Sequence, residues 1–200
     1  MYRPTDTEVI LSRILEKAIR RSNALDTESL CIVAGLKCFA LRADVHIIDH
    51  DGGLIDASCI AVMAALQHFR RPEVLVEGEK ATVLSVRERE PIPLSILHQP
   101  ICVTFSYFSE SNIFLVDANL AEELVRQGEV IITMNRHGEV CQIAKYGGAT
   151  VEPMAMLNLT NTALLKVKEI SKLIQQSLDA DAKKRDAGGL LAELSAENTR

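Results

Sequence analysis

The alternation of apolar and polar positions changes period several times along this chain. Thr5 to Arg21 repeats at helical spacing, with Leu11, Ile14, Leu15, Ala18 and Ile19 on one face. Thr5 and Glu8 are placed as a capping box at its start. Leu30–Ala34 and Cys38–Asp49 read as paired strands around Gly35-Leu36-Lys37. Asp51-Gly52-Gly53 breaks that pattern, and Leu54–Phe69 is apolar almost all round, as a core helix is. Arg70-Arg71-Pro72 stops it. Val74–Val76 and Ala81–Val86 predict short strands across Glu77-Gly78-Glu79. Arg87 to Pro100, with Pro91 and Pro93, reads as a linker between two lobes.

Beyond it, Ile101–Phe108 and Ile113–Val116 predict a hairpin turning at Ser109–Asn112, and Asn119 predicts the cap of a short helix through Arg126. Glu129–Met134 and Glu139–Lys145 predict a second hairpin. Pro153 to about Ala182 reads as a long amphipathic helix, with Leu157, Leu164, Leu165, Val167, Ile170, Leu173, Ile174 and Leu178 apolar. Lys183–Arg200 reads as a loosely ordered tail. The order of elements is that of an α+β protein.

Composition narrows the function classes. The net charge of −5 excludes a free-standing nucleic-acid binder by bulk charge, and the absence of tryptophan argues against base stacking as the main mode of recognition. The first residues lack the apolar core of a signal peptide, and no apolar run reaches membrane-spanning length. That favours a cytosolic or nuclear home. Five cysteines, with no C-x-x-C spacing, argue against a disulfide framework or a zinc site. Cys31, Cys38, Cys59, Cys102 and Cys141 all lie in apolar runs and read as small core residues. His46 and His50 are four apart, but on a strand and turn rather than a helix, so no metal is expected. No other cofactor is expected either.

A strand, a glycine turn and a buried helix can hold an anion at the helix N-terminus. Around that unit, LDTESLCIVAGLKCFALRADVHIIDHDGGLIDASCIAVMAALQHFRRPEV, EREPIPLSILHQPICVTFSYF and LVDANLAEELVRQGEVIITMN resemble the RNase-PH-like barrel subunits of the eukaryotic RNA exosome, polymyositis/scleroderma autoantigen type. The resemblance runs from about Thr7 to the KKRDAGG segment. It implies two lobes built on left-handed βαβ units. The first is a ribosomal protein S5 domain 2-like lobe over residues 1–90, lacking the N-terminal part of the family's first lobe. An RNase PH C-terminal lobe with the long helix follows over 97–182, then a tail over 183–200. An incomplete first lobe leaves strands with an open edge, an aggregation hazard.

Active members of that family phosphorolyse RNA 3′ ends, with Thr-Arg after the glycine turn to hold phosphate. Here Leu54 and Ile55 stand there, and neither side chain donates a hydrogen bond. Asp56 adds a like charge, which at 4 Å and an effective dielectric near 20 costs about 4 kcal/mol. Gly52, Gly53, Leu54, Ile55 and Asp56 thus read as a degenerate phosphate site. The family also carries two aspartates six residues apart. Glu123 and Glu129 have that spacing, but the family pattern aligns Leu124 and Gly128 or Glu129 there, and Glu122 and Glu123 read as surface charge.

The resemblance therefore implies a non-catalytic ring subunit supporting 3′-to-5′ RNA processing and decay, including rRNA maturation and mRNA turnover. Its partners would be the other RNase-PH-like ring subunits, the cap subunits and RNA in the channel, in nucleus, nucleolus and cytoplasm. The alternative is an active phosphate-dependent 3′-to-5′ exoribonuclease, and a third possibility is a form that stays outside the ring. Arg13, Lys17 and Arg20, spaced along one helix face, fall where relatives place channel-facing cations, although Lys17 departs from the arginine seen there. They read equally as a solvated face with cations near a helix C-terminus.

Overall fold

The computed structural model describes residues 5–78, 80–85, 87–108, 113–148 and 150–188. Its centre is a four-stranded antiparallel sheet in the order β10-β9-β7-β8. The strands are β7 (Ile101–Phe108), β8 (Ile113–Val116), β9 (Gly128–Met134) and β10 (Val140–Gly147). Successive side chains of a strand point to opposite faces, and β7 and β9 use both. Ile101, Val103, Phe105, Tyr107, Val130, Ile132 and Met134 face a core closed by the helix α4 (Pro153–Gly188) through Leu159, Ala163, Val167 and Ile174. Cys102 and Ile131 point the other way and pack with Ile14, Ala18 and Cys59. That face is covered by α1 (Asp6–Leu15) and α2 (Leu54–His68). β7 is buried on both faces, with apolar side chains toward α4 and Cys102, Thr104 and Ser106 on the other face.

The capping box of α1 forms as expected, Glu8 N–H on Thr5 and Thr5 N–H on Glu8. The helix does not stay regular. Residues Glu16–Arg21 widen into a π-turn, and Ala24 N–H donates to the Ile19 carbonyl at 3.0 Å. Ile14 and Ala18 are fully buried beneath it.

The expected strand pair before α2 is largely absent. Only β1 (Cys31–Val33) and β2 (Lys37–Cys38) pair, and residues 40–50 form no strand and are all exposed. Their alternation is a strand pattern without a partner strand to bond to. The cysteines divide as well: Cys59 and Cys102 are core, whereas Cys31 and Cys38 are exposed, contrary to the reading of all five as core residues. The short hairpin of β4 (Val74–Glu77) and β5 (Lys80–Val83) forms.

The stretch read as a linker is tied down. Its Ile92–Pro93 segment, β6, pairs with β3 (Arg70–Arg71); Ile96 bridges to Leu25, and Leu94 and Pro100 are buried. The helix α4 continues to Gly188, past the expected end at Ala182, so Lys183–Arg185 are helical rather than loose. The remainder of the expected tail, and the turn at Ser109–Asn112, lie outside the described residues. On α4, Leu157, Leu165 and Leu173 are exposed, so its apolar stripe is narrower than the sequence pattern. No helix among the described residues is long and apolar enough to cross a membrane.

Candidate functional site

The glycine turn does form, and it is forced by close packing. Gly52 (φ +96°) passes so near the loop before α3 (Leu120–Val125) that an added Cβ would lie 2.3 Å from the Ala118 carbonyl oxygen. Gly53 (φ +64°) is the N-cap of α2 and, being glycine, supplies no side-chain cap. Leu120 N–H donates to the Asp51 carbonyl at 3.1 Å, holding the turn against the start of α3.

The missing cap comes from elsewhere in the chain. Gly53 N–H donates to Glu123 Oε1 at 3.0 Å. Glu123 lies on α3, whose own capping box pairs Asn119 with Glu122. Arg126 follows that helix and holds three groups. Its guanidinium is 3.4 Å from Glu123 and 2.7 Å from Glu129, and it donates to Ser106 Oγ at 3.2 Å. All three charged side chains are at least half buried, with Glu129 the deepest at 12% exposed. Strand parity explains the meeting. Glu129 shares a face of β9 with Ile131, the face that packs on α1 and α2.

Gly53, Glu123, Arg126 and Glu129, with Leu54, Ile55, Thr104, Thr7, Ile10 and Leu11, line a cleft of roughly 240 Å³. Its walls are apolar and its floor is two carboxylates and a guanidinium. Burial raises the Glu129 pKa; Arg126 opposes that rise and Glu123 adds to it. Asp56 is turned away from the tip of α2. It accepts from Thr104 N–H and Thr104 Oγ1, each at 2.7 Å, and burial raises its pKa to about 6.

The degenerate-site residues Gly52 to Asp56 therefore share one turn, but only Gly53, Leu54 and Ile55 line the cleft. One expectation is corrected. Glu123 is not simply surface charge: it caps α2. Leu124, offered as the aligned position, is 79% exposed and points out of the cleft, while Glu123 and Glu129 face into it. Arg126 and Thr104 escaped notice in the sequence. For Arg126 the available signal was Glu-x-x-Arg-x-x-Glu, a cation three residues from each of two acids.

Arg13, Lys17 and Arg20 are exposed. The wider π-turn changes the register between Lys17 and Arg20, and Arg20 lies 3.7 Å from Glu16. Among the described residues no group of three or more His, Cys, Asp or Glu side chains could hold a metal ion.

Comparison with known proteins gives the family. The 3′ exoribonuclease family has a first-domain model that matches residues 1–72 and a second-domain model that matches 98–165. The exosome complex component rrp45 of Schizosaccharomyces pombe is 53% identical over 198 residues, which cover 99% of this chain and 67% of that protein. This chain belongs to the RRP45 family of exosome components. The Saccharomyces cerevisiae member is 48% identical, over 98% of this chain and 67% of its own length. The human member is 46% identical, over 94% and 43%. The chain thus spans about two thirds of its yeast relatives and under half of the human one. The RRP45 family's fold is that of solved exosome cores. A chain of the Archaeoglobus fulgidus exosome with RNA bound to the active site superposes with a TM-score of 0.71 at 25% identity, covering 86% of this chain and 63% of that one. An archaeal exosome core chain gives 0.69 at 24%, covering 88% and 66%.

Proposed function

We propose that this chain is a non-catalytic structural subunit of an RNA exosome ring, supporting 3′-to-5′ RNA processing and degradation. The observation that carries the non-catalytic reading is the tip of α2. The side chains that follow the glycine turn, Leu54 and Ile55, donate nothing, and Glu123 already takes the Gly53 N–H. An internal carboxylate thus occupies a helix N-terminus that would otherwise favour an anion. Glu129, the second carboxylate lining the cleft, stands beside it.

In this reading residues 1–90 are the partial first RNase PH lobe, 97–182 the C-terminal lobe with its helix, and 183–200 a tail. Its partners are the other RNase-PH-like ring subunits, the cap subunits and RNA threading the channel, where Arg13, Lys17 and Arg20 are the candidate contacts. Nucleus, nucleolus and cytoplasm are its expected compartments, and rRNA maturation and mRNA decay its processes.

One observation favours a second reading, an active phosphate-dependent exoribonuclease. Two carboxylates six residues apart converge with Arg126 on the glycine turn. The two readings separate in one preparation. The chain is co-expressed with the other ring subunits, and the native mass of the ring is measured. The ring is then given single-stranded RNA, phosphate and magnesium, with any catalytic neighbour inactivated. One copy per ring without release of nucleoside diphosphates supports the structural role. Phosphate-dependent release that is lost on Glu129→Gln establishes the enzyme.

A further inference from the structure

The hairpin β1–β2 places two thiols directly opposite each other: Cys31 pairs with Cys38 in the register. Both are free and exposed. The next pair outward is hydrogen-bonded, Phe39 N–H donating to the Leu30 carbonyl at 2.8 Å. Pairs alternate along an antiparallel ladder, so Cys31 and Cys38 occupy a non-hydrogen-bonded position, where side chains on the same face come closest. The Cα separation typical of that position, about 4.5 Å, falls within the span of about 4.4–6.8 Å that a disulfide bridges.

The remaining thiols are set apart from this chemistry. Cys59 and Cys102 are fully buried. A hydrogen bond with Cys59, then burial, pushes the Cys102 thiol up, and burial pushes Cys141 up. A thiol reacts as its thiolate and needs access, so these three are the slow ones.

We propose that Cys31 and Cys38 are a redox-modifiable pair that closes reversibly into a cross-strand disulfide when exposed to a small disulfide such as oxidised glutathione. One cysteine thiolate attacks a glutathione sulfur, forming a mixed disulfide and expelling one glutathione thiolate. The second cysteine thiolate then attacks the protein-side sulfur and expels the other. Two protein thiols lose two hydrogens, and one glutathione disulfide becomes two thiols. The register already sets the two residues opposite each other, although the ladder is irregular immediately after them, between Cys31 and Val33, and a bulge there lets the strand adjust as the bond closes. In a reducing compartment such a bond is transient, the usual form of an intracellular disulfide. It would staple the hairpin that leads into the exposed stretch 40–50.

The test uses the intact chain, folded, with oxidised glutathione followed by acid quenching, intact mass and peptide mapping. The expected product has lost two hydrogens, contains a linked Cys31–Cys38 peptide, and returns to the starting mass with excess reduced glutathione. Cys31→Ser and Cys38→Ser should each instead retain one glutathione on the remaining cysteine. Glutathione on both cysteines of the unaltered chain without a link overturns the proposal. So does failure of the pair to react while both alkylate readily.

Discussion

Asp56 accepts two hydrogen bonds from one residue, Thr104, through its backbone N–H and its hydroxyl, both at 2.7 Å. The pair ties the first turn of α2 to β7, yet burial leaves the carboxyl with a pKa raised from 3.8 to about 6. A carboxyl that holds its proton more tightly when folded makes the fold most stable where it is protonated. Stability therefore falls as pH rises from about 4 to 6, and is flat in this contribution outside that window. The two-unit rise corresponds to about 3 kcal/mol at most. Asp56→Asn keeps an acceptor for Thr104 N–H, and should flatten that pH dependence while raising stability at pH 7–8. Urea unfolding across pH 4–8 measures it. Glu129, also raised, supplies a residual slope of the same sign. A variant less stable at pH 8 than the unaltered chain would refute the sign.

Among the described residues that line the cleft, Arg126 is the one cation, set between Glu123 and Glu129, and it also donates to Ser106. Arg126→Ala leaves two half-buried carboxylates facing each other and should cost about 2 kcal/mol, as breaking a part-buried ion pair does. The loss should be smaller at pH 5 than at pH 8, because Glu129 can then take a proton. A surface-like cost, below about 0.5 kcal/mol, would show that the cluster holds nothing together.

How much of this was legible in the sequence depends on the range of the interaction. Local devices were readable: the capping box of Thr5 with Glu8, the Asn119 cap of α3, the end of α2 just before Arg70, and strand β7 follow from neighbours in the chain, although Glu122, which completes the second box, read as surface charge. So was the glycine turn, although the reason for Gly52 lies in Ala118, which periodicity does not reach. The cleft was not readable. Gly53 meets Glu123 across seventy positions, and only the packing of α3 against the turn brings them together. The strand expected at Cys38–Asp49 failed beyond Cys38 for the complementary reason. Alternation says which faces a strand would have, not whether another strand is there to bond it.

Gly52→Ala should be among the most damaging small substitutions. The methyl meets the Ala118 carbonyl oxygen at 2.3 Å, and φ +96° is a conformation that side chains disfavour. Both penalties act on the turn that precedes α2 and packs against the start of α3, and a loss of about 2 kcal/mol or more is expected in thermal or urea unfolding. Gly35→Ala is the control, since its Cβ would meet nothing within 4 Å. It should lose only the positive-φ penalty, and equal losses at the two positions would remove the packing argument.

The exposed stretch carries Val45, Ile47 and Ile48, with Ile48 98% exposed. An unpaired apolar segment of strand-like pattern is a template for association between chains. Ile48→Lys should reduce light scattering on concentration without lowering the unfolding midpoint, because its side chain packs on nothing. If scattering is unchanged, association runs through another surface.

The basic row on the first helix can be tested by its salt dependence. A cation that neutralises a phosphate releases a counterion, and each single-strand contact adds about 0.7 to the slope of log K against log salt. Arg13→Glu with Lys17→Glu, placed in the assembled ring, should weaken RNA binding and lower that slope by about 1.4 if both touch phosphate. Arg20→Glu should do less, because the guanidinium already lies 3.7 Å from Glu16 and the π-turn shifts its register from Lys17. The ring's native mass must stay the same in all variants. An unchanged slope and RNA protection length with Arg13 and Lys17 reversed would leave the row as a solvated helix face, with the cations serving only the helix dipole.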